Sequence, residues 1–195
     1  MSKRSIRVNI PAGAQTEQAI PAAPVIRLPI RRFASVFSVC VLLGFGLLLT
    51  TWVQPAMAVF THALVTASAV LINIAGGGAS ARDDVMQSHA TGFAVRMANG
   101  CNGVHVMIVL WSAILAFPAS PKQKIKGLLA GGLIIHGVNL VRFISLFFLG
   151  QYAPAWFDFA HLYFWESMIM LDSLVVFWVW SQSVFRSTVI SNAGK

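Results

Sequence analysis

The feature that most constrains this chain is a set of long apolar stretches with almost no charge in them, over residues 33–53, 101–117, 125–150 and 162–184. The chain is 57% hydrophobic and only 10% charged, where a soluble domain of similar length carries about 25% charged residues. Stretches of this length match the hydrocarbon core of a bilayer, so the expected class is an all-α, polytopic integral membrane bundle with about four spans. Little is left over for a separate soluble domain.

The net charge of +8 lies beside the apolar stretches, where topology signals and anionic lipid headgroups require it. No basic and aromatic interleaving of the kind used on single strands occurs, so nucleic acid is not an expected partner. Lys3, Arg4, Arg7, Arg27, Arg31 and Arg32 precede the first stretch, Lys122, Lys124 and Lys126 flank the loop at 118–126, and Arg186 and Lys195 follow the last. The positive-inside rule then puts both termini and that loop in the cytoplasm. Residues 1–30, rich in Ala, Pro, Arg and Ser, read as a disordered basic cytoplasmic tail. The membrane-embedded domain is expected over 31–186 and a second cytoplasmic tail over 187–195. Ala56-Met57-Ala58 resembles a signal-peptidase site, but the apolar run before it exceeds a signal core and reads as an uncleaved anchor.

Parity fixes the rest. If the first stretch exits outward and the one opening at Cys101 must end at Lys122, residues 54–100 stay outside. Residues 56–75 are then expected as an outer interfacial or re-entrant helix, the alternative being a genuine span. Residues 79–100 alternate polar and small apolar residues, as a short outer hairpin does. Tyr152, Trp156, Phe159, Tyr163 and Trp165 form an aromatic belt for the outer interface.

An ionisable side chain inside such a stretch is costly and calls for a reason. Cys101 opens one stretch, Arg142 lies about 27 Å of helical rise beyond Lys124, and His161 opens the last. All three fall at the outer boundary. A cysteine attacks as the thiolate, which a neighbouring cation or a helix N-terminus favours. The glycine-flanked Asn99-Gly100-Cys101-Asn102-Gly103 allows close backbone approach. Each residue also has a plainer reading: Cys101 as an inert small residue, Arg142 as snorkelling, His161 as one more interfacial aromatic. His105 competes as a base, since i+4 spacing would put it on the face of Cys101. Glu166 could pair with Arg142 or orient His161. His136 reads as packing or a polar tie between helices, and Asp172 as its partner or that of Asn139. Gly127 to Gly131 is a small-residue contact face. Cys40 reads as buried and apolar, and no metal-ligand spacing or cofactor motif is present.

Cys101-Asn102-Gly103, Asn139-Leu140-Val141-Arg142 and His161, in this order and at matching ends of successive stretches, resemble the exosortase/archaeosortase family of membrane transpeptidases. The resemblance covers about residues 60–184. It implies a cysteine protease of the cell inner membrane, with its site at the outer, periplasmic face. Its partners would be exported proteins ending in a short motif, an apolar span and a basic tail. It further implies Cys101 as nucleophile, His161 as general acid/base and Arg142 as stabiliser of negative charge, with transfer through a thioester and no cofactor or metal. The commoner family form is Cys-Ser-Gly, from which Asn102 departs. The short chain resembles the compact exosortase H subtype. Two other classes stay open: a non-enzymatic assembly subunit, and a small transporter using His136, Asn139 and Asp172 as a polar path.

Overall fold

A computed structural model describes residues 29–193, with side chains to 187. The tail expected over 1–30 therefore lies outside the described residues apart from its last two. Helix α1 (Ile30–Leu48) leads into α2 (Gln54–Ile74), a three-stranded sheet of β1 (Ala79–Arg82), β2 (Val85–Ser88) and β3 (Ala94–Arg96), then α3 (Val104–Ala116) and α4 (Pro121–Tyr152). A 3-10 turn (Pro154–Trp156), one turn of helix α5 (Phe157–Phe159) and a π-helical stretch (Ala160–Phe164) run into α6 (Trp165–Ala193). The protein is mostly helical, and four of its helical segments are long and apolar enough to cross a membrane: Ile30–Leu48, Gln54–Ile74, Pro121–Tyr152 and Pro154–Ser187.

These are not the four stretches expected. The segment expected over 56–75 is one unbroken helix of 21 residues, Gln54–Ile74, long and apolar enough for either of the two placements expected of it. The stretch from Cys101 yields a helix of only 13 residues, about 20 Å long against a hydrocarbon core of about 30 Å. The cause is local. Gly100 and Gly103 take φ of +96° and +79° and hold residues 98–103 as turns, a conformation other residues rarely adopt. At the other end Phe117 is extended before Pro118, as the proline ring demands. The helical face assumed for Cys101 and His105 therefore does not exist, because Cys101 precedes the helix. Residues 187–193, expected as tail, continue α6.

Helix α4 starts sharply. Ser120 caps it, with the Gln123 N–H donating to Ser120 Oγ at 3.4 Å and the Ser120 N–H donating to Gln123 Oε1 at 2.9 Å, a reciprocal box followed by Pro121 in the first turn. Gly127 fits against the Trp180 ring, and Gly131 against Leu110 and Val176, so the small-residue face is a three-helix contact.

The densest core lies around α2. Thr61, Leu64, Val65, Ser68, Ala69 and Ile72 are its buried residues, a 3.6-period stripe. The stripe packs on β1 and α4, where Met86, Val95, Met97, Phe143 and Phe147 join it. The expected hairpin is present and carries a third strand. β1 and β2 pair antiparallel through Asp83-Asp84, with Asp83 at φ +52°, and β2 pairs antiparallel with β3. The Asn73 side chain clamps both sides of the Ala79 peptide group, accepting from its N–H at 2.8 Å and donating to its carbonyl at 2.9 Å. His62 Nδ1 donates to the Asp83 carbonyl at 2.9 Å. The hairpin therefore lies back along α2. By contrast α1, which packs on α3, buries none of its residues, and Leu42, Leu129, Leu133 and Leu174 are exposed on α1, α4 and α6.

Candidate active site

Cys101 lies in the turn between β3 and α3, its N–H donating to the Ala98 carbonyl at 3.0 Å. The next residue anchors that turn. Asn102 is fully buried, accepts from the Val104 N–H at 3.2 Å and donates to Thr61 Oγ1 at 3.2 Å. A single amide thus ties the start of α3 to the buried stripe of α2. Two different atoms of the amide make these bonds, Nδ2 to Thr61 and Oδ1 from Val104, where serine would have one shorter-reaching hydroxyl oxygen for both.

Two further elements bring polar side chains to Cys101. Arg142, 3% exposed in α4, points Nη2 at Cys101 Sγ from 3.9 Å and at Glu166 Oε2 from 3.5 Å. His161, in the π-helical stretch, has Nε2 3.6 Å from the same sulfur, and its ring stacks on Phe157 at 5.9 Å between centroids. A π-helical turn within a helical run is a frequent feature of functional sites. The Arg142–Glu166 bridge is lopsided, with side-chain exposures of 4% and 54%. The carboxylate is thus half exposed, while the guanidinium nitrogen that also faces the sulfur is buried.

Cys101, Arg142 and His161 share a cavity of about 440 Å³, with the Phe93–Arg96 strand on one side and Pro154, Phe157 and Asp158 on the other. On the far side of Arg142 a second cavity of about 450 Å³ holds His105, Glu166, Gly100 and Gly103. His105 stands 5.4 Å from the Phe45 ring, and its Nδ1 is buried without a hydrogen-bond partner. The structure thus brings together Cys101, Arg142 and His161, joins Glu166 to them only through Arg142, and places His105 with Glu166 in the second cavity.

Asn139 and Gly103 support the site from beneath. A Cβ on Gly103 would meet Asn139 at 3.5 Å and His136 at 3.4 Å, so glycine lets α3 approach α4 closely. The Asn139 amide is buried with neither of its polar atoms hydrogen-bonded. His136 Nε2 donates to Met107 Sδ at 3.2 Å and packs on Phe60. The expected pairing of Asp172 with His136 or Asn139 does not form: its Oδ2 is unpartnered beside Gly131 and Trp180. Cys40 and Cys101 are both free thiols, and among the described residues no cluster of His, Cys, Asp and Glu could hold a metal ion.

Residue spacing did not reveal Thr61, Phe157, Asp158 or the β3 wall. Thr61 was detectable in principle as the first position of the α2 stripe. Phe157 and Asp158 depend on the π-helical turn, which no periodicity marks.

No family model, curated protein or solved structure matches the chain.

Proposed function

We propose that the protein is a membrane-embedded cysteine peptidase–transpeptidase of exosortase type, cutting C-terminal sorting signals from exported proteins and passing the acyl group to an acceptor. One observation carries the reading: a sulfur, an imidazole and a guanidinium from three separate elements meet within 3.6 and 3.9 Å at one cavity.

In the proposed mechanism the Cys101 thiolate attacks the carbonyl carbon of the scissile peptide, and the electron pair moves to the carbonyl oxygen. Arg142 offsets the negative charge, first on sulfur and then on oxygen. Collapse breaks the C–N bond while the His161 imidazolium gives its proton to the leaving amine, leaving a thioester. The acceptor then attacks the thioester, His161 takes the acceptor's proton, and the thiolate departs. No cofactor is needed for this balance.

The membrane placement rests on a physical exclusion. An open sheet edge does not occur in contact with hydrocarbon, because nothing there satisfies its backbone groups. The three strands, with Asp84 and Arg96 ion-paired at 2.9 Å, therefore belong outside the apolar layer. Helix α2, clamped to β1 along its buried face, goes with them. That leaves α1, α4 and α6 as full-length membrane helices and the shorter α3 as a crossing that local thinning of the bilayer accommodates, both termini cytoplasmic and the site at the outer face beside the aromatic residues at 152–165. Lipid then covers the apolar side chains exposed on α1, α4 and α6.

The test is co-expression with tagged exported proteins that end in a short motif, an apolar span and a basic tail. The wild-type chain is expected to remove the tail and Cys101→Ala to leave it intact. Processing by Cys101→Ala would overturn the reading, whereas a subunit that merely ties helices together predicts a silent Cys101→Ser.

A further inference from the structure

The sheet ends where the reactive sulfur begins. β3 is the last strand of the order β1-β2-β3, and Phe93, Ala94, Val95 and Arg96 line the cavity that also holds Cys101, Arg142 and His161. From β3 the chain passes through Met97 and the turn at Ala98 to the nucleophile, so edge and sulfur belong to one short, continuous segment.

The register decides which backbone groups are spent. The Ser88 N–H donates to the Phe93 carbonyl and the Met97 N–H donates to the Asp84 carbonyl, each at 2.8 Å, and Met86 faces Val95. Phe93, Val95 and Met97 therefore turn their peptide groups toward β2. By antiparallel alternation, those of Ala94 and Arg96 point the other way, along the open edge. Native edges are usually blunted by proline, bulges or outward charge. Here the one charge on the strand, Arg96, is held by Asp84 of the same sheet. Buried Val95 and Met97 fix the strand from behind. Across the cavity stand Pro154, Phe157, Asp158 and His161, and the volume of about 440 Å³ falls within the range of ligand clefts.

We infer that the free edge of β3 binds the substrate peptide as a fourth strand, with the peptide groups of Ala94 and Arg96 holding it extended so that a carbonyl carbon meets Cys101 Sγ. This rests on the peptidase reading and adds the mode of recognition. Main-chain pairing supplies affinity for any extended peptide, and the cavity reads alternate side chains. A flexible segment just outside the membrane, ahead of an apolar span, suits such an edge.

The experiment measures labelling of Cys101 in a Cys40→Ala background with two probes. Fluorescent iodoacetamide needs no strand. A fluorescent acetyl-Ala-Val-Ala chloromethyl ketone, whose chloride the sulfur displaces, must lie along the edge. Ala94→Pro removes the outward N–H and leaves the pairing with β2 intact, since a proline is tolerated on that side of an edge strand. It is expected to slow labelling by the chloromethyl ketone by about fivefold to tenfold, as the loss of one backbone hydrogen bond does, with the iodoacetamide rate unchanged. On the unsubstituted strand, N-methylation of the probe's amides is expected to slow labelling at alternate positions only. Equal labelling of Ala94→Pro and its parent by the ketone, or N-methyl effects without a two-residue period, overturns the assignment. Labelling reports the strand and processing of tagged proteins reports the peptidase, so either can fail while the other stands.

Discussion

Two cavities share Arg142 as a common wall, and each offers it an imidazole. In one, His161 stands 3.6 Å from the Cys101 sulfur. In the other, His105 lies beside Phe45 with Glu166 nearby and no thiol in the lining. The two histidines have the same chemistry in isolation and differ only in what the backbone puts next to them. His105 follows Gly103 into a regular helix, whereas His161 rides on a widened turn that brings it beside the Cys101 sulfur. The lesson is that a candidate base is chosen by the turn preceding it, not by its spacing along a helix.

That contrast sets the order of the expected effects, read as the rate of tail removal from a tagged exported protein. Cys101→Ala should cost the most, at least about a thousandfold, because no other group in the site can form the thioester. His161→Ala comes next at about 10²- to 10⁴-fold, the range for a positioned proton donor. Arg142→Lys keeps a charge but loses the rigid guanidinium whose Nη2 reaches both sulfur and carboxylate, and a loss of about tenfold to a hundredfold is expected. Glu166→Gln should change the rate by less than about fivefold, since the half-solvated carboxylate contributes little to the ion pair. His105→Ala should stay within about twofold, because the second cavity contains no nucleophile for it to serve. A large loss at His105 with a small one at His161 would reverse the assignment of the two cavities.

The comparison also marks how far the sequence could be read. Cys101, Arg142 and His161 were legible because each is a costly group at the end of an apolar stretch, and cost alone made them conspicuous. The hairpin at 79–100 was legible from its alternation. The third strand was not, because a three-residue strand leaves too short a pattern. The helix at 54–74 was legible as a helix but its depth was not, because Thr61, Ser68 and Asn73, which look like interruptions in the composition, form its packed or clamping side. The extent of α3 was misjudged. Apolar composition continues back to Cys101 and beyond, but two glycines at positive φ and a proline decide where a helix exists. Asn102 looked like a harmless departure from a familiar triplet, and its amide turned out to join α2 to α3.

The widened turn at Ala160–Phe164 has a mechanical corollary. It holds one more residue than regular winding would, which offsets everything ahead of it by about 100° around the axis relative to α6. Deleting a single residue there would let the coil close up, sweeping the imidazole away from the sulfur while leaving both side chains chemically untouched. The azimuth of His161 is thus stored in the length of one peptide loop, a setting that insertion or deletion can alter and that no point substitution reproduces.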